Sequence, residues 1–400
     1  MYIAKINWKD PRKLYWLKNA LHYNWQRLFC TDRDKKIWVF GAWRGKQYDD
    51  NSRALFEYVN KYHSNKVDAI WLSDQDGIVE KVKALGYMAY NTYSDEGCKI
   101  AKKAGVAIYT HGLTDFGVNL NVGGAYIVSL WHGVGFKKIY NDRYSQRQLF
   151  FKKLMDRVFT WTQRDLTITT SHYICRQFSG IFGLNKDDKI VICGQPRNDF
   201  FKKNLNKKDL LRNIPIDHQK QFVLYMPTYR GKEVGENAME DIVRKLYNSQ
   251  SLRHVLDVTN SVFIVKLHPK TPYFNIGIRN DFVVLRYDQV ESNQELLAVA
   301  DMLVTDYSSC CVDYALLHRP IIFYQPDEEN FVMHSEPLYE ELIDILHINR
   351  ATDIKGLGER ICHPSLEVVD RMNSIFEDES ISGTCYSDNV YRAIIKEIGI

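Results

Sequence analysis

From Lys36 onward, short apolar runs alternate with longer amphipathic stretches, a rhythm that few folds can satisfy. Ile37-Trp38-Val39-Phe40-Gly41, Ala69-Ile70-Trp71-Leu72, Val106-Ala107-Ile108-Tyr109 and Ala125 to Trp131 read as buried strands. Ser52 to Tyr62, Ile78 to Leu85 and Cys98 to Ala104 read as helices, with Gly86 and Gly105 as stops. Strands alternating with helices of this length imply an α/β fold with a mostly parallel, doubly wound sheet. The charged run Lys202 to Lys208 breaks the rhythm, and a second series starts at Phe222 to Met226. It continues through Val262 to Leu267, Val283 to Leu285, Met302 to Val304 and Ile321 to Tyr324. The expected organisation is two Rossmann-like domains facing a cleft. Residues 1–35 form an N-terminal amphipathic helix, 36–200 the first domain, 201–220 a linker and 221–400 the second domain. The last helix is a candidate to pack back on the N-terminal half. Ligands of such sheets sit at the carboxyl ends of the strands.

Composition removes several classes. With 400 residues, 45% of them hydrophobic, the chain has material for two packed cores, and global disorder is excluded. Lys and Arg number 53 against 49 Asp and Glu, a net +4 that is too mild for a nucleic-acid binder. The eight cysteines contain no C-x-x-C pair, which argues against a zinc site and for a reducing compartment. No apolar run reaches the roughly 18 residues of a spanning helix, and no signal peptide is read. The expected location is cytoplasmic.

Asp10-Pro11 opens a helix that runs to Phe29, with Asp10 as cap and Pro11 in the first turn. Leu14, Leu17, Leu21, Trp25 and Leu28 recur at helical spacing among Lys9, Arg12, Lys13, Lys18 and Arg27. Such a helix suits either the headgroup layer of an anionic membrane or the core of the first domain.

Four stretches that follow strands carry the candidate chemistry. Trp131-His132-Gly133 ends a strand in an imidazole suited to act as a general base, with Lys137 and Lys138 close behind. Lys266-Leu267-His268-Pro269-Lys270 delivers a second histidine among cations. Thr305-Asp306-Tyr307-Ser308-Ser309 is a hydroxyl-rich turn inside a βαβ unit, and such turns receive phosphate. Pro227-Thr228-Tyr229-Arg230 supplies a guanidinium that could clamp a phosphate or pair with an acid. Each of the four also has a purely structural reading as a capped or solvated turn.

Taken in order, these stretches resemble the CDP-glycerol glycerophosphotransferase family, whose members build teichoic acids and related phosphate-linked polymers. The resemblance adds Gly194-Gln195-Pro196-Arg197-Asn198-Asp199 and the run through Asp313-Tyr314-Ala315 to Arg319-Pro320, and it spans Lys36 to Asp327. It implies the two-domain glycosyltransferase-B type of fold. It implies His132 and His268 as the catalytic pair, with His132 the base on the acceptor hydroxyl and His268 near the donor phosphates. Ser308, Ser309, Thr305, Asp306, Arg230, Thr228, Lys266 and Pro269 would line the donor nucleotide and diphosphate, and Gly133, Lys137, Lys138 and Arg197 the acceptor side. The implied donor is a CDP-alditol, used as substrate with no cofactor. The C-terminal half has no Asp-x-Asp motif, so no metal site is expected. The implied acceptor is a polyprenyl-diphosphate-linked glycan, which makes an anionic membrane surface the expected partner and a peripheral, inner-face location the expected address. The basic stretch from Lys137 to Arg157 would face that surface.

The chain departs from the family pattern at Val134-Gly135-Phe136 and between Asn330 and Pro337. Glycerol phosphate, ribitol phosphate and a sugar phosphate therefore stay open as the transferred group. A UDP-sugar glycosyltransferase or epimerase of the same fold is the alternative enzyme. A non-catalytic scaffold that binds glycolipid at the membrane is the alternative of another class.

Overall fold

The computed structural model describes residues 11–30, 32–118, 121–139, 164–184, 189–203, 205–212, 214, 216–231, 234–235, 237–277, 279–286, 289–290, 292–334 and 337–400. The chain divides into two compact units. The first comprises Met1–His132, Tyr140–Asp199 and Glu379–Ile400, the second Gly133–Ile139 and Phe200–Asp378.

The first unit is built on a parallel sheet of seven described strands: β1 (Asp34–Gly41), β2 (Asp68–Ser73), β3 (Met88–Asn91), β4 (Ala104–Tyr109), β5 (Tyr126–Ser129), β6 (Leu166–Thr169) and β7 (Lys189–Ile192). Their order is β3-β2-β1-β4-β5-β6-β7, so the direction of winding reverses between β1 and β4. The register places Gly41 beside Tyr109 and Tyr109 beside Ser129. Strand interiors such as Trp38, Phe40, Val106 and Ile108 are fully buried, as continuous apolar runs in a sheet covered on both faces should be. Gly41 must be a glycine: a Cβ there would stand 2.7 Å from the Asp115 carbonyl oxygen. That close approach presses the turn after β4 against the end of β1.

The C-terminal segment Glu379–Ile400 closes this unit. The helix Tyr386–Ile398 buries Val390, Tyr391, Ile394 and Ile398 in the same core as Trp38 and Phe56. Tyr391 stacks on His63 at 3.6 Å between ring centroids, Tyr58 donates to Asp388 at 2.8 Å, and Asp199 accepts from the Tyr386 and Ser387 amides.

The first helix, α1 (Pro11–Phe29), also belongs to this unit. Its inward face is Asn19, Ala20, Tyr23 and Gln26, and the Gln26 side chain accepts from the Gly123 amide at 3.1 Å. The apolar stripe read from the sequence points the other way, with Leu21 59%, Trp25 54% and Leu28 69% exposed, and the neighbouring Phe29 is 67% exposed as well. The packing needed only Ala20, one tyrosine and two amide side chains, so the larger apolar residues were left outside. Leu14 and Leu17 lie outside the residues whose side chains are described.

The second unit repeats the pattern with β8 (Gln221–Met226), β9 (Ser261–Lys266), β10 (Phe282–Leu285), β11 (Met302–Thr305), β12 (Ile321–Tyr324) and β13 (Arg350–Ala351). The order β10-β9-β8-β11-β12-β13 reverses between β8 and β11, where Met226 lies beside Thr305. Residues 201–220, expected as a linker, are part of this unit. Leu211, Ile214 and Ile216 are buried, Lys207 pairs with Asp301, and Lys207–Leu210 makes one helical turn. The charged run looked like a linker because these few buried apolar side chains come after its cations and show no period. Gly133–Ile139 also joins this unit: Lys137 bridges to Leu338, and Phe136 packs on Phe376. From residue 140 to 163 the basic stretch expected at a membrane lies outside the described residues.

Candidate active site

A doubly wound sheet opens where its winding reverses, because the loops leaving the two central strands part to opposite faces. In the first unit that point lies between the ends of β1 and β4. Trp43, Arg44 and Gly45 leave β1 with φ of 51°, 57° and 78°, a left-handed run that turns the chain sharply. Asp115 fastens the two ends together. One carboxylate oxygen accepts from the Arg44 amide at 2.7 Å, and the other accepts from the Thr110 and His111 amides, both at 2.9 Å. Burial raises its pKa to about 6, against the pull of those amide donors.

His132 stands at the end of β5, next along the sheet. Its Nδ1 lies 3.4 Å from the Thr110 carbonyl oxygen, which makes Nδ1 the protonated nitrogen and leaves Nε2 bare. Arg197, expected on the acceptor side, is buried behind it and donates to the His132 carbonyl at 2.8 Å and to Asp50 at 2.9 Å. Asn51 completes the support, donating to the Trp131 carbonyl at 2.9 Å and accepting from the Arg197 amide at 3.1 Å. Burial lowers the His132 pKa and outweighs the opposing pull of Asp50 and the Thr110 carbonyl, while Arg197 acts with burial. The imidazole is therefore neutral near pH 7.

Sequence reasoning missed His111, which stacks on His132 with ring centroids 4.3 Å apart and planes 4° apart. The signal was present. Thr110-His111-Gly112 follows β4 as Trp131-His132-Gly133 follows β5, and parallel neighbours in register bring the two strand ends side by side.

In the second unit the reversal lies between β8 and β11. Asp306 fastens those ends as Asp115 fastens the others. Its Oδ1 accepts from the Thr228 amide at 2.8 Å, the Thr228 hydroxyl at 2.6 Å and the Tyr307 amide at 2.5 Å. Thr305 donates to the Met226 carbonyl at 2.7 Å. Arg230, expected as a phosphate clamp, is buried and committed elsewhere. It pairs with Asp306 at 2.8 Å and with Asp327 through Nε at 2.7 Å and Nη2 at 2.9 Å. Its guanidinium lies over the Phe331 ring at 4.4 Å. Arg230, Asp306 and Thr228 thus shape the turn rather than offer free groups, and neither Asp327 nor Phe331 was singled out from the sequence.

Ser308 and Ser309 stay partly accessible beyond this knot. The helix they precede is only the six residues Cys310–Ala315, so the hydroxyls themselves must carry most of any anion contact. His268 follows β9 with Pro269 and lies 5.7 Å from the Tyr229 ring. Its Nδ1 accepts the Lys270 amide at 3.1 Å, which fixes the proton on Nε2. Burial, then Lys270 and Lys137, lower its pKa to about 4. Lys266 is buried and donates to the Arg286 carbonyl at 3.2 Å.

Gly133, Lys137 and Lys138, expected on the acceptor side, are grouped with the second unit, although Gly133 directly follows His132 in the chain. Lys137 lies over the Phe331 ring at 4.7 Å, and the Lys138 amide donates to the Pro337 carbonyl at 2.7 Å. The two histidines fall in different units, each at the end of a strand next to a winding reversal. Among the described residues no three His, Cys, Asp or Glu side chains converge as a metal site.

Two doubly wound parallel sheets with polar constellations at their reversal points are the architecture of the glycosyltransferase-B type of fold. The chain belongs to the CDP-glycerol:poly(glycerophosphate) glycerophosphotransferase family, whose model matches residues 23–363. It is 27% identical over 322 residues to a teichoic acid poly(glycerol phosphate) polymerase of Bacillus spizizenii, covering 74% of this chain and 75% of the relative. It is 28% identical over 327 residues to a teichoic acid glycerol-phosphate transferase of Staphylococcus aureus, covering 77% and 79%. A substituted form of the wall teichoic acid polymerase TagF, soaked with CDPG, shares the fold with a TM-score of 0.73 at 20% identity, over 96% of this chain and 94% of that one. The chain is accordingly an enzyme, an alditol-phosphate transferase of the teichoic acid class.

Proposed function

We propose that the chain transfers glycerol phosphate from CDP-glycerol to a hydroxyl of a polyprenyl-diphosphate-linked glycan and releases CMP. The observation that carries this reading is the pair of opposite tautomers. His132 presents a bare Nε2, suited to take the proton of an acceptor hydroxyl, while His268 presents an Nε2–H, suited to donate to a phosphate oxygen. The acceptor oxygen attacks the phosphorus that bears glycerol, its proton passes to His132, and the bond to CMP breaks. Ser308 and Ser309 add hydroxyl donors to the diphosphate. The Arg230 guanidinium is not spent on the phosphates in this scheme, because it serves Asp306 and Asp327.

The exposed stripe of Leu21, Trp25, Leu28 and Phe29, with Lys18 and Arg27 also exposed, supports docking of α1 on an anionic membrane surface where the lipid-linked acceptor resides. Vesicles of anionic lipid should sediment the protein, and Trp25→Ser with Leu28→Ser should abolish that binding.

The deciding experiment is thermal stabilisation by CDP, CDP-glycerol, CDP-ribitol, UDP and UDP-sugars, followed by CMP release on a lipid-linked acceptor. A cytidine nucleotide at a hundred times its Kd should stabilise by about 2.7 kcal/mol. A preference for CDP-ribitol would change the transferred group. A uridine preference would overturn the reading in favour of a sugar-nucleotide enzyme, and no response at all would favour a non-catalytic scaffold.

A further inference from the structure

We propose that His111 is a positioning residue for His132: a neutral, flat partner that holds the His132 ring against the Thr110 carbonyl with Nε2 turned outward. The inference rests on His132 being the base proposed above. Thr110 organises both rings. Its carbonyl faces His132 Nδ1 at 3.4 Å, and its hydroxyl lies 2.9 Å from His111 Nδ1 and donates to Asp115 at 3.3 Å. A hydroxyl that donates to Asp115 is left to accept from His111, so the His111 proton also sits on Nδ1. His111 also meets the Trp43 ring, 4.5 Å away at an interplanar angle of 42°. His111 thus contacts both the left-handed turn after β1 and the His132 ring.

The 3.4 Å hydrogen bond and the tilted Trp131 ring, 4.1 Å away, each restrain the His132 imidazole, and the parallel His111 stack at 4.3 Å adds a flat face that further restricts its rotation. When His132 takes a proton, the ring facing it must stay neutral, since two stacked cations repel. Burial, followed by His132 itself, lowers the His111 pKa to about 3, with Arg44 and Arg197 acting the same way and Asp50 opposing. Asp115 faces the Thr110 and His111 amides and the Thr110 hydroxyl rather than either imidazole.

The test compares His111→Phe with His111→Ala by two readouts. Turnover with CDP-glycerol should fall on the order of 10- to 100-fold in kcat for His111→Ala, the cost of a misplaced base, with little change in KM for the donor. His111→Phe keeps the flat face and should retain kcat to within about threefold. Nitrogen NMR of histidine-labelled protein needs no substrate. His132 should show one tautomer, protonated at Nδ1, in the parent and in His111→Phe, and a mixture in His111→Ala. Loss of the single tautomer in His111→Ala upholds the inference even if the parent fails to turn over CDP-glycerol, which would sink only the transferase reading. An unchanged tautomer in a folded His111→Ala overturns it, and so does a His111→Phe variant as impaired as His111→Ala.

Discussion

The two units solve one problem in two electrostatic styles. Each must hold the ends of its two central strands where the winding reverses, and each does so with a buried aspartate that accepts backbone amides. Asp115 receives the Arg44, Thr110 and His111 amides, and Asp306 the Thr228 and Tyr307 amides. Asp306 is also paired with Arg230, which Asp327 shares, so the second unit closes its reversal with a buried ionic knot. The described donors to Asp115 are neutral, and its carboxyl is pushed up to about 6. The lesson is a division of labour. In the proposed reaction the first unit surrounds the His132 base with neutral donors and an uncharged imidazole, and the second locks its charges away and leaves hydroxyls and a histidine for the donor.

The largest expected effect tests the dependence of the first unit on the far end of the chain. Ending the chain at Asp378 removes Val390, Tyr391, Ile394 and Ile398 from its core. At about 1.5–3 kcal/mol per buried side chain that is roughly 6–12 kcal/mol, enough to unfold the unit. Calorimetry should show the transition of the first unit lost and that of the second kept; both surviving would break the comparison. His132→Ala should come next, lowering kcat by about 10²–10⁴-fold with an unchanged melting temperature. Arg230→Met should act in the opposite sense, leaving Asp306 and Asp327 unpaired and costing about 3–5 kcal/mol in urea unfolding. A stable Arg230→Met that fails only to bind nucleotide would return Arg230 to the role of phosphate clamp.

Smaller effects sharpen the picture. Ser308→Ala with Ser309→Ala should remove most of the stabilisation of about 2.7 kcal/mol by saturating cytidine nucleotide while leaving the ligand-free melt unchanged. The smallest concerns pH. The folded-state pKa of His268 is lowered to about 4, so between there and the ordinary value near 6.5 the unfolded chain binds a proton that the folded chain does not. Stability from this group is therefore lost as the pH falls from about 6.5 towards 4. His268→Gln should lose less melting temperature over that range than the parent, and identical slopes would show that His268 is not held neutral by burial.

Much of the architecture was legible in the order of residues. Buried parallel strands need continuous apolar runs, and the helices between them need amphipathic spacing, so β1, β2, β4, β5 and their counterparts β8, β9, β11 and β12 could be read directly. His132, His268 and the Thr305-to-Ser309 turn could be singled out as candidates because strand ends are where such sheets present chemistry. His111 obeyed the same rule and was overlooked because His111-Gly112 carries no cations after it.

What the sequence determined by itself, then, is the pair of doubly wound sheets and the strand ends that carry reactive side chains, since periodicity and burial are local properties of the chain. Only tertiary structure decided the partners. Arg230 became a buried strut because Asp327, 97 residues on, reaches it. Residues 201–220 became part of a unit because three apolar side chains found a core. Which face of α1 is covered depended on the fit of Ala20 and Tyr23, and the stacking of His111 on His132 on the register of β4 and β5. Those outcomes depend on residues far apart in sequence meeting at short range, and no local pattern encodes that.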